Sequence, residues 1–122
     1  MIIVLTGDTV EQIALTRVEM CRDKDNLWYK GWPEATRHPL EAVKHCKQLI
    51  EENKRDKDDY IITTFNPDVV SAIRYIGEKE GVETSFYIAT DNPKEPIGYG
   101  NNIDPLFKSF NKAIDYIDEH GI

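Results

Sequence analysis

The sequence predicts a three-layer α/β domain with a four-stranded, mainly parallel sheet and helices on both faces. The first observation is length, because 122 residues suit one domain over residues 1–122 with a single hydrophobic core. The second is hydrophobic patterning, in which short continuous apolar runs alternate with segments of helical spacing. The resulting order is β-α-β-α-β-α-β-α, and strict alternation favours a parallel sheet covered by helices.

The clearest unit lies in residues 60–80. Residues 60–64, YIITT, are apolar or β-branched without helical spacing, which predicts a strand buried on both faces. Asn66 then suits a helix N-cap, and Pro67 suits the first helical position because its missing N–H has no partner there. Apolar residues continue at helical spacing as far as Ile76, and Gly81 is expected just after the helix ends.

The chain before this unit predicts two strands and two helices. Residues 2–5 form a continuous apolar run, and Asp8 with Glu11 resembles a capping box for a helix from about residue 9 to residue 22. Its apolar stripe comprises Val10, Ile13, Ala14, Val18 and Cys21, with Arg17 at the same spacing. Residues 27–29 give a weaker second strand. A long second helix opens at residues 38–40 and runs into a charged turn.

The chain after this unit predicts a strand, a loop and a helix. Residues 82–89 are expected to form the fourth strand, and residues 90–102, which carry two prolines and two glycines, a long loop. Asp104 and Pro105 then open the last helix as cap and first residue, and Gly121 ends it.

Charge, cysteine content and the N-terminal apolar run indicate which partners and which cellular location to expect. The net charge of −7 disfavours nucleic-acid binding over a broad face, although it is also explained by solubility alone. Cys21 and Cys46 form no CxxC motif, so buried free thiols in a reducing interior are expected. The N-terminal apolar run is too short for a signal peptide or membrane span. We therefore expect a cytoplasmic protein with no membrane partner.

Parallel strands place their ligand-facing loops at their carboxyl ends, here residues 6–9, 31–38, 64–68 and 90–102. Asp8, Glu34, Asp68 and Asp91 fall on these loops and could form a carboxylate cluster for metal binding or acid–base chemistry. Asp8 and Asp68 are equally explained as helix caps, the interpretation we favour. The predicted ligand- or partner-binding residues are Gly7, Asp8, Thr9, Trp32, Glu34, Arg37, Thr64, Asn66, Asp91 and Tyr99.

The aromatic residues suggest a binding surface, and apart from the carboxylates the sequence favours a non-catalytic protein over an enzyme. Trp32 and Tyr99 lie on predicted loops, where exposed aromatics often anchor partners; Trp28 is expected in the core. No serine lies in a GxSxG motif, and His38 and His45 are two helical turns apart, too far to share a metal. The sequence therefore predicts no catalytic residue, no metal site and no cofactor.

Two segments resemble a known family. Residues 26–39, NLWYKGWPEATRHP, match the pattern DEPExxLHP at Pro33, Glu34, His38 and Pro39. Residues 61–68, IITTFNPD, correspond to a strand that ends in a THSP switch motif. Both patterns occur in this order in ATP-binding-cassette-type ATPases of the branch that includes overcoming-lysogenization-defect and RecF-like proteins. The resemblance covers residues 26–76, under half of the chain.

The departures from that family fall on its catalytic groups. The magnesium-binding Asp, the catalytic Glu and the switch His correspond to Gly31, Trp32 and Phe65, none of which can hold Mg²⁺ or polarise water. After the first strand the chain reads TGDTVEQ, which lacks the second glycine and the lysine of a phosphate loop. The resemblance thus implies a degenerate, shortened ATPase core without hydrolysis.

The resemblance also implies a strand order and a function. An ATPase-like core should show the order 2-3-1-4, whereas a flavodoxin-like sheet should show 2-1-3-4. The function implied is a non-catalytic protein-interaction or regulatory domain whose partner is an ATPase or a second copy in a homodimer. The alternative is a small enzyme or sensor that binds a nucleotide or another small polar ligand at the carboxyl ends of the strands.

Overall fold

The computed structural model describes residues 1–22, 24, 26–30, 39–98, 112, 114–116 and 119–120. Within them the elements are β1 (Ile2–Thr6), α1 (Val10–Cys21), β2 (Leu27–Tyr29), α2 (Pro39–Asp56), β3 (Asp59–Thr63), α3 (Pro67–Glu80), β4 (Thr84–Ile88) and β5 (Ile97–Gly98). The described residues from Lys112 to His120 are also helical. None of the described helices is long and apolar enough to cross a membrane.

The sheet has the order β2-β3-β1-β4-β5. Its first four strands are parallel, and their order is the expected 2-3-1-4, with β1 between β3 and β4. The prediction of a four-stranded sheet was wrong, because β5 adds a fifth strand antiparallel to β4 through Ile88 and Ile97. β5 was missed because two residues inside a loop rich in proline and glycine are too short to show strand alternation.

Helices cover both faces of the sheet, as expected. Alternate residues of the central strands, such as Val4 and Ile62, pack against α2 and α3 and form the larger core cluster; we call this side the closed face. The intervening side chain of Leu5 packs with Ile13 of α1 and with Ala89 in a smaller cluster; we call this side the open face. This division follows from the two-residue period of side chains along a strand.

The start of α1 differs from the capping box expected at Asp8. Thr9 is the N-cap: its backbone is extended, with φ −132° and ψ 152°, and its Oγ1 accepts a hydrogen bond from Gln12 N at 3.1 Å. Thr9 stands three residues before Gln12, so its hydroxyl meets the free N–H groups of the first turn, whereas Asp8 is exposed.

The ends of α3 match the prediction. Asn66 is its N-cap, with Pro67 in the first turn, and Gly81 closes the helix at φ 71°, in the left-handed region that favours glycine. Asp68 lies inside the first turn, so its assignment as a cap was wrong. Its carboxylate still stands at the helix end where negative charge is favoured.

Two burial predictions were wrong. Trp28 was expected in the core, but its side chain is 54% exposed, because it lies on β2, whose described neighbour is β3 alone. Cys21, the last residue of α1, is partly exposed rather than buried. Cys46 is fully buried on the closed face, and that burial raises the pKa of its thiol.

Candidate functional site

The carboxyl ends of β1, β3 and β4 meet at one edge of the sheet. Main-chain hydrogen bonds join the turns that follow: Thr64 N donates to Leu5 O at 3.1 Å, and Ala89 N donates to Thr6 O at 2.7 Å. This edge therefore brings together the predicted residues Gly7, Asp8, Thr9, Thr64, Asn66 and Asp91. The other predicted residues, Trp32, Glu34, Arg37 and Tyr99, lie outside the described residues.

Most polar side chains gathered there are used by the turns themselves. Thr9 Oγ1 caps α1. Thr64 is 2% exposed, and its Oγ1 accepts from Asn66 N at 3.0 Å. Asn66 Oδ1 accepts in turn from Asp68 N at 2.9 Å. These bonds hold the strand-to-helix turns in shape, so these three oxygens have a local structural role.

Two exposed carboxylates remain at this edge. Asp91 accepts a hydrogen bond from Gln12 Nε2 of α1 at 2.7 Å, which ties the turn after β4 to the helix. Asp8 is exposed beside the N-cap of α1. The described residues contain no group of three or more His, Cys, Asp or Glu side chains that could hold a metal ion. Glu34, the remaining loop member of the expected cluster, lies outside the described residues.

Gly7 allows the turn after β1 to approach its neighbours closely. A Cβ built at Gly7 would lie 3.1 Å from Ala89 Cβ and 3.1 Å from Ile13 Cγ1. These distances are shorter than ordinary van der Waals contacts, so a side chain would push α1 away from the sheet. Gly7 therefore sets the spacing of the edge.

The same edge contains a groove that the sequence did not reveal. It lies between α1 and the ends of β2 and β3, and we call it the α1 groove. Its volume is about 170 Å³. Its apolar walls include three side chains that also face solvent, Val10 at 69%, Tyr29 at 46% and Phe65 at 41% exposure. Ala14 and Arg17 complete the helical side.

Tyr29 and Arg17 form one wall of the α1 groove as a unit. The Arg17 guanidinium carbon lies 4.2 Å from the centre of the Tyr29 ring, within cation–π range. The Tyr29 hydroxyl lies 3.4 Å from Thr63 Oγ1, at the long end for a hydrogen bond. These two contacts fix the orientation of the Tyr29 ring beside the groove.

Sequence reasoning missed this groove because it assigned the apolar residues of α1 to one buried stripe. Ile13 is buried, but Val10 and Val18 of the same stripe are 69% and 49% exposed, and Leu15, outside the stripe, is 50% exposed. At 100° per residue the apolar positions of α1 span more than one face. That excess width was the available signal.

Three acidic residues lie close in the sequence to the groove-lining residues Val10 and Phe65. Asp8 and Glu11 are exposed on either side of Val10 in the chain, and Asp68 is partly exposed three residues after Phe65. Arg17, which lines the groove, provides positive charge. From residue 6 to residue 21 the sequence contains no lysine that could meet a phosphate.

Comparison with known proteins supports the fold alone. No protein-family profile and no curated protein matches the chain. One solved structure, the crystal structure of an engineered protein that was Northeast Structural Genomics Consortium target OR258, is similar with a TM-score of 0.52 and 13% sequence identity. The similarity covers 100% of this chain and 80% of the engineered protein.

Proposed function

We propose that this domain is a non-catalytic protein-binding domain and that the α1 groove receives an apolar side chain of its partner. The observation that carries the proposal is the groove itself, with Val10, Tyr29 and Phe65 exposed around one small cavity. Aromatic and aliphatic side chains that line a pocket are typical anchor sites in protein interfaces.

The size of the groove favours a side chain over a nucleotide. Pockets for small molecules and cofactors have volumes of about 300–1,000 Å³, whereas the α1 groove offers about 170 Å³. The neighbouring oxygens of Thr9 and Asn66 are already engaged as helix caps. The edge therefore has apolar contact area to offer and few free polar groups that could orient a substrate.

The charges define the partner segment more closely. Asp8 and Glu11 are exposed and lie within two residues of Val10 in the sequence, and the net charge is −7, so a basic segment is favoured over an acidic one. We propose a segment in which one large apolar side chain enters the groove while an adjacent Lys or Arg faces these carboxylates. The apolar side chain supplies affinity, and the basic residue supplies orientation.

The candidate partner to test first is an ATPase. The resemblance to ATP-binding-cassette-type ATPases and the parallel strand order 2-3-1-4 both support a degenerate ATPase core. We propose that such a core regulates a full-length ATPase by docking on it. A second copy of this chain is the competing partner, and a measurement of molar mass in solution across concentrations separates the two cases.

Peptide binding tests the groove directly. A peptide with one Leu or Phe flanked by Arg residues should bind in isothermal titration, whereas its Ser-substituted and Glu-flanked counterparts should not. Val10→Lys places a cation at the groove and should weaken binding at least roughly tenfold, or about 1.4 kcal/mol. Val18→Lys is the matched control, because Val18 is also exposed on α1 but does not line the groove.

Two results would contradict the proposal. One is equal binding by Val10→Lys and Val18→Lys, which would place the contact elsewhere. The other is a rise in thermal midpoint with Mg²⁺ and ATP, because a ligand that binds the native state must stabilise it. That rise would favour the small-ligand alternative instead.

A further inference from the structure

We infer that one ordered water molecule is bound on the buried side of α1, where it bridges Gln12 and Thr16. Thr16 is fully buried. Its Oγ1 and the Oε1 of Gln12 are both inaccessible to solvent, and neither has a hydrogen-bond partner among the described residues. Buried polar atoms in folded proteins almost always have a partner in the protein or in ordered water.

The two atoms suit a single water molecule. Gln12 and Thr16 are four residues apart in α1, so their side chains are neighbours on one face of the helix. An amide oxygen only accepts hydrogen bonds, whereas a hydroxyl can both donate and accept. A water molecule can donate to Gln12 Oε1 and accept from the Thr16 hydroxyl, which satisfies both atoms.

Asp91 explains why the Gln12 oxygen faces inwards. The Gln12 amide nitrogen donates to Asp91 Oδ1 at 2.7 Å. An ionised carboxylate only accepts hydrogen bonds, so an amide turned the other way would set its oxygen against the Asp91 oxygen. Asp91 therefore fixes the amide orientation, and this orientation directs Oε1 into the protein.

The water has a consequence for α1. It would link two successive turns of α1 on its buried side, since both of its partners belong to that helix. Through Gln12, it would also connect the interior to the turn that carries Asp91. This inference does not depend on the proposed function, because it concerns two buried oxygens of α1 and not what the α1 groove binds.

A high-resolution crystal structure of the full chain tests the inference. We expect electron density for a water oxygen within about 2.7–3.2 Å of both Gln12 Oε1 and Thr16 Oγ1. Density that touches only one of the atoms would overturn the inference. A Thr16 hydroxyl bonded to the main-chain oxygen of Gln12, with no water present, would overturn it as well.

Variants at Thr16 give an independent test. Thr16→Val keeps the shape and removes the hydroxyl, so the water loses a partner, and we expect a fall of a few degrees in thermal midpoint. Thr16→Ser is the control, because it keeps the hydroxyl and should retain the water in its crystal structure. A rise in the midpoint of Thr16→Val would show that the hydroxyl had no partner to lose, which would overturn the inference.

Discussion

Within the part of the chain that the structure describes, helices cover one face of the sheet more completely than the other. On the closed face, α2 and α3 pack over the central strands, and Ile114 near the C-terminus joins the same buried cluster. On the open face, α1 is the helix that the described residues supply, and its fully buried cluster comprises Leu5, Ile13 and Ala89. We infer that the closed face supplies most of the stability.

The polar groups show the same difference. At the end of the closed face, Asn53 Nδ2 donates to Asp58 O at 2.6 Å, and the Tyr60 hydroxyl donates to the carboxylate of Asp56. On the open face, Gln12 and Thr16 each keep a buried oxygen without a protein partner among the described residues. Breaking a buried hydrogen bond is costly, whereas a buried oxygen without a protein partner can bind a water molecule.

The largest expected effect is on the closed face. Ile73 of α3 is fully buried there, so Ile73→Ala should lower the free energy of unfolding by about 3 kcal/mol through lost burial and a residual cavity. Leu15→Ala on α1 is the matched control. Because Leu15 is half exposed, Leu15→Ala should lower the free energy of unfolding by no more than about 0.5 kcal/mol. Urea unfolding measures both, and similar losses would break the distinction between the faces.

An intermediate loss of stability is expected when a side chain is added between α1 and the sheet. Gly7→Ala brings a methyl group to 3.1 Å from Ala89 and Ile13, which should cost roughly 1–3 kcal/mol of stability. Gly98→Ala is the control, because no atom lies within 4 Å of its added Cβ. A negligible loss for Gly7→Ala would mean that α1 shifts freely, and the open face would then be looser than its contacts suggest.

The sequence predicted the parallel core well because its strands are buried. The run of residues 60–64 could be recognised as β3 without knowledge of its neighbours, and Asn66 and Gly81 act through local geometry. Trp28 was misplaced because burial of an edge strand depends on what lies beside it, which no local pattern encodes. β5 was missed for a similar reason, since two residues pair only because β4 presents a free edge.

The sequence predicted that several polar residues meet at the carboxyl edge of the sheet, but it did not predict the α1 groove. Parallel topology places Thr9, Asn66 and Asp91 at one edge, and the structure has them there. Their hydrogen bonds, however, serve the turns and α1. The α1 groove depends on how far α1 sits from β2 and β3, a tertiary distance that helical periodicity does not contain.

The smallest effect on stability that we predict depends on pH. It concerns the hydrogen bond from the Tyr60 hydroxyl of β3 to the carboxylate of Asp56 at the end of α2. The hydrogen bond from Tyr60 is the main cause that lowers the pKa of Asp56 below its ordinary 3.8. Burial, followed by the same hydrogen bond, raises the pKa of Tyr60 above its ordinary 10.0. The Asp56 contribution is therefore present above pH 3.8 and lost as pH falls through its lowered pKa. The Tyr60 contribution is present below pH 10.0 and lost as pH rises towards its raised pKa.

Tyr60→Phe removes the hydroxyl and keeps the ring. It therefore separates the contribution of the hydrogen bond to Asp56 from that of ring packing on the closed face. Near pH 7 the variant should be less stable than the wild type, by less than the loss in Gly7→Ala. The difference should shrink at both ends of the pH range, because there the wild type loses what the variant never had. Thermal midpoints measured from pH 3 to pH 11 decide the matter. A difference that stays constant across this range would mean that Tyr60 stabilises the closed face through its ring alone, and the carboxylate of Asp56 would then contribute nothing to the contrast between the two faces.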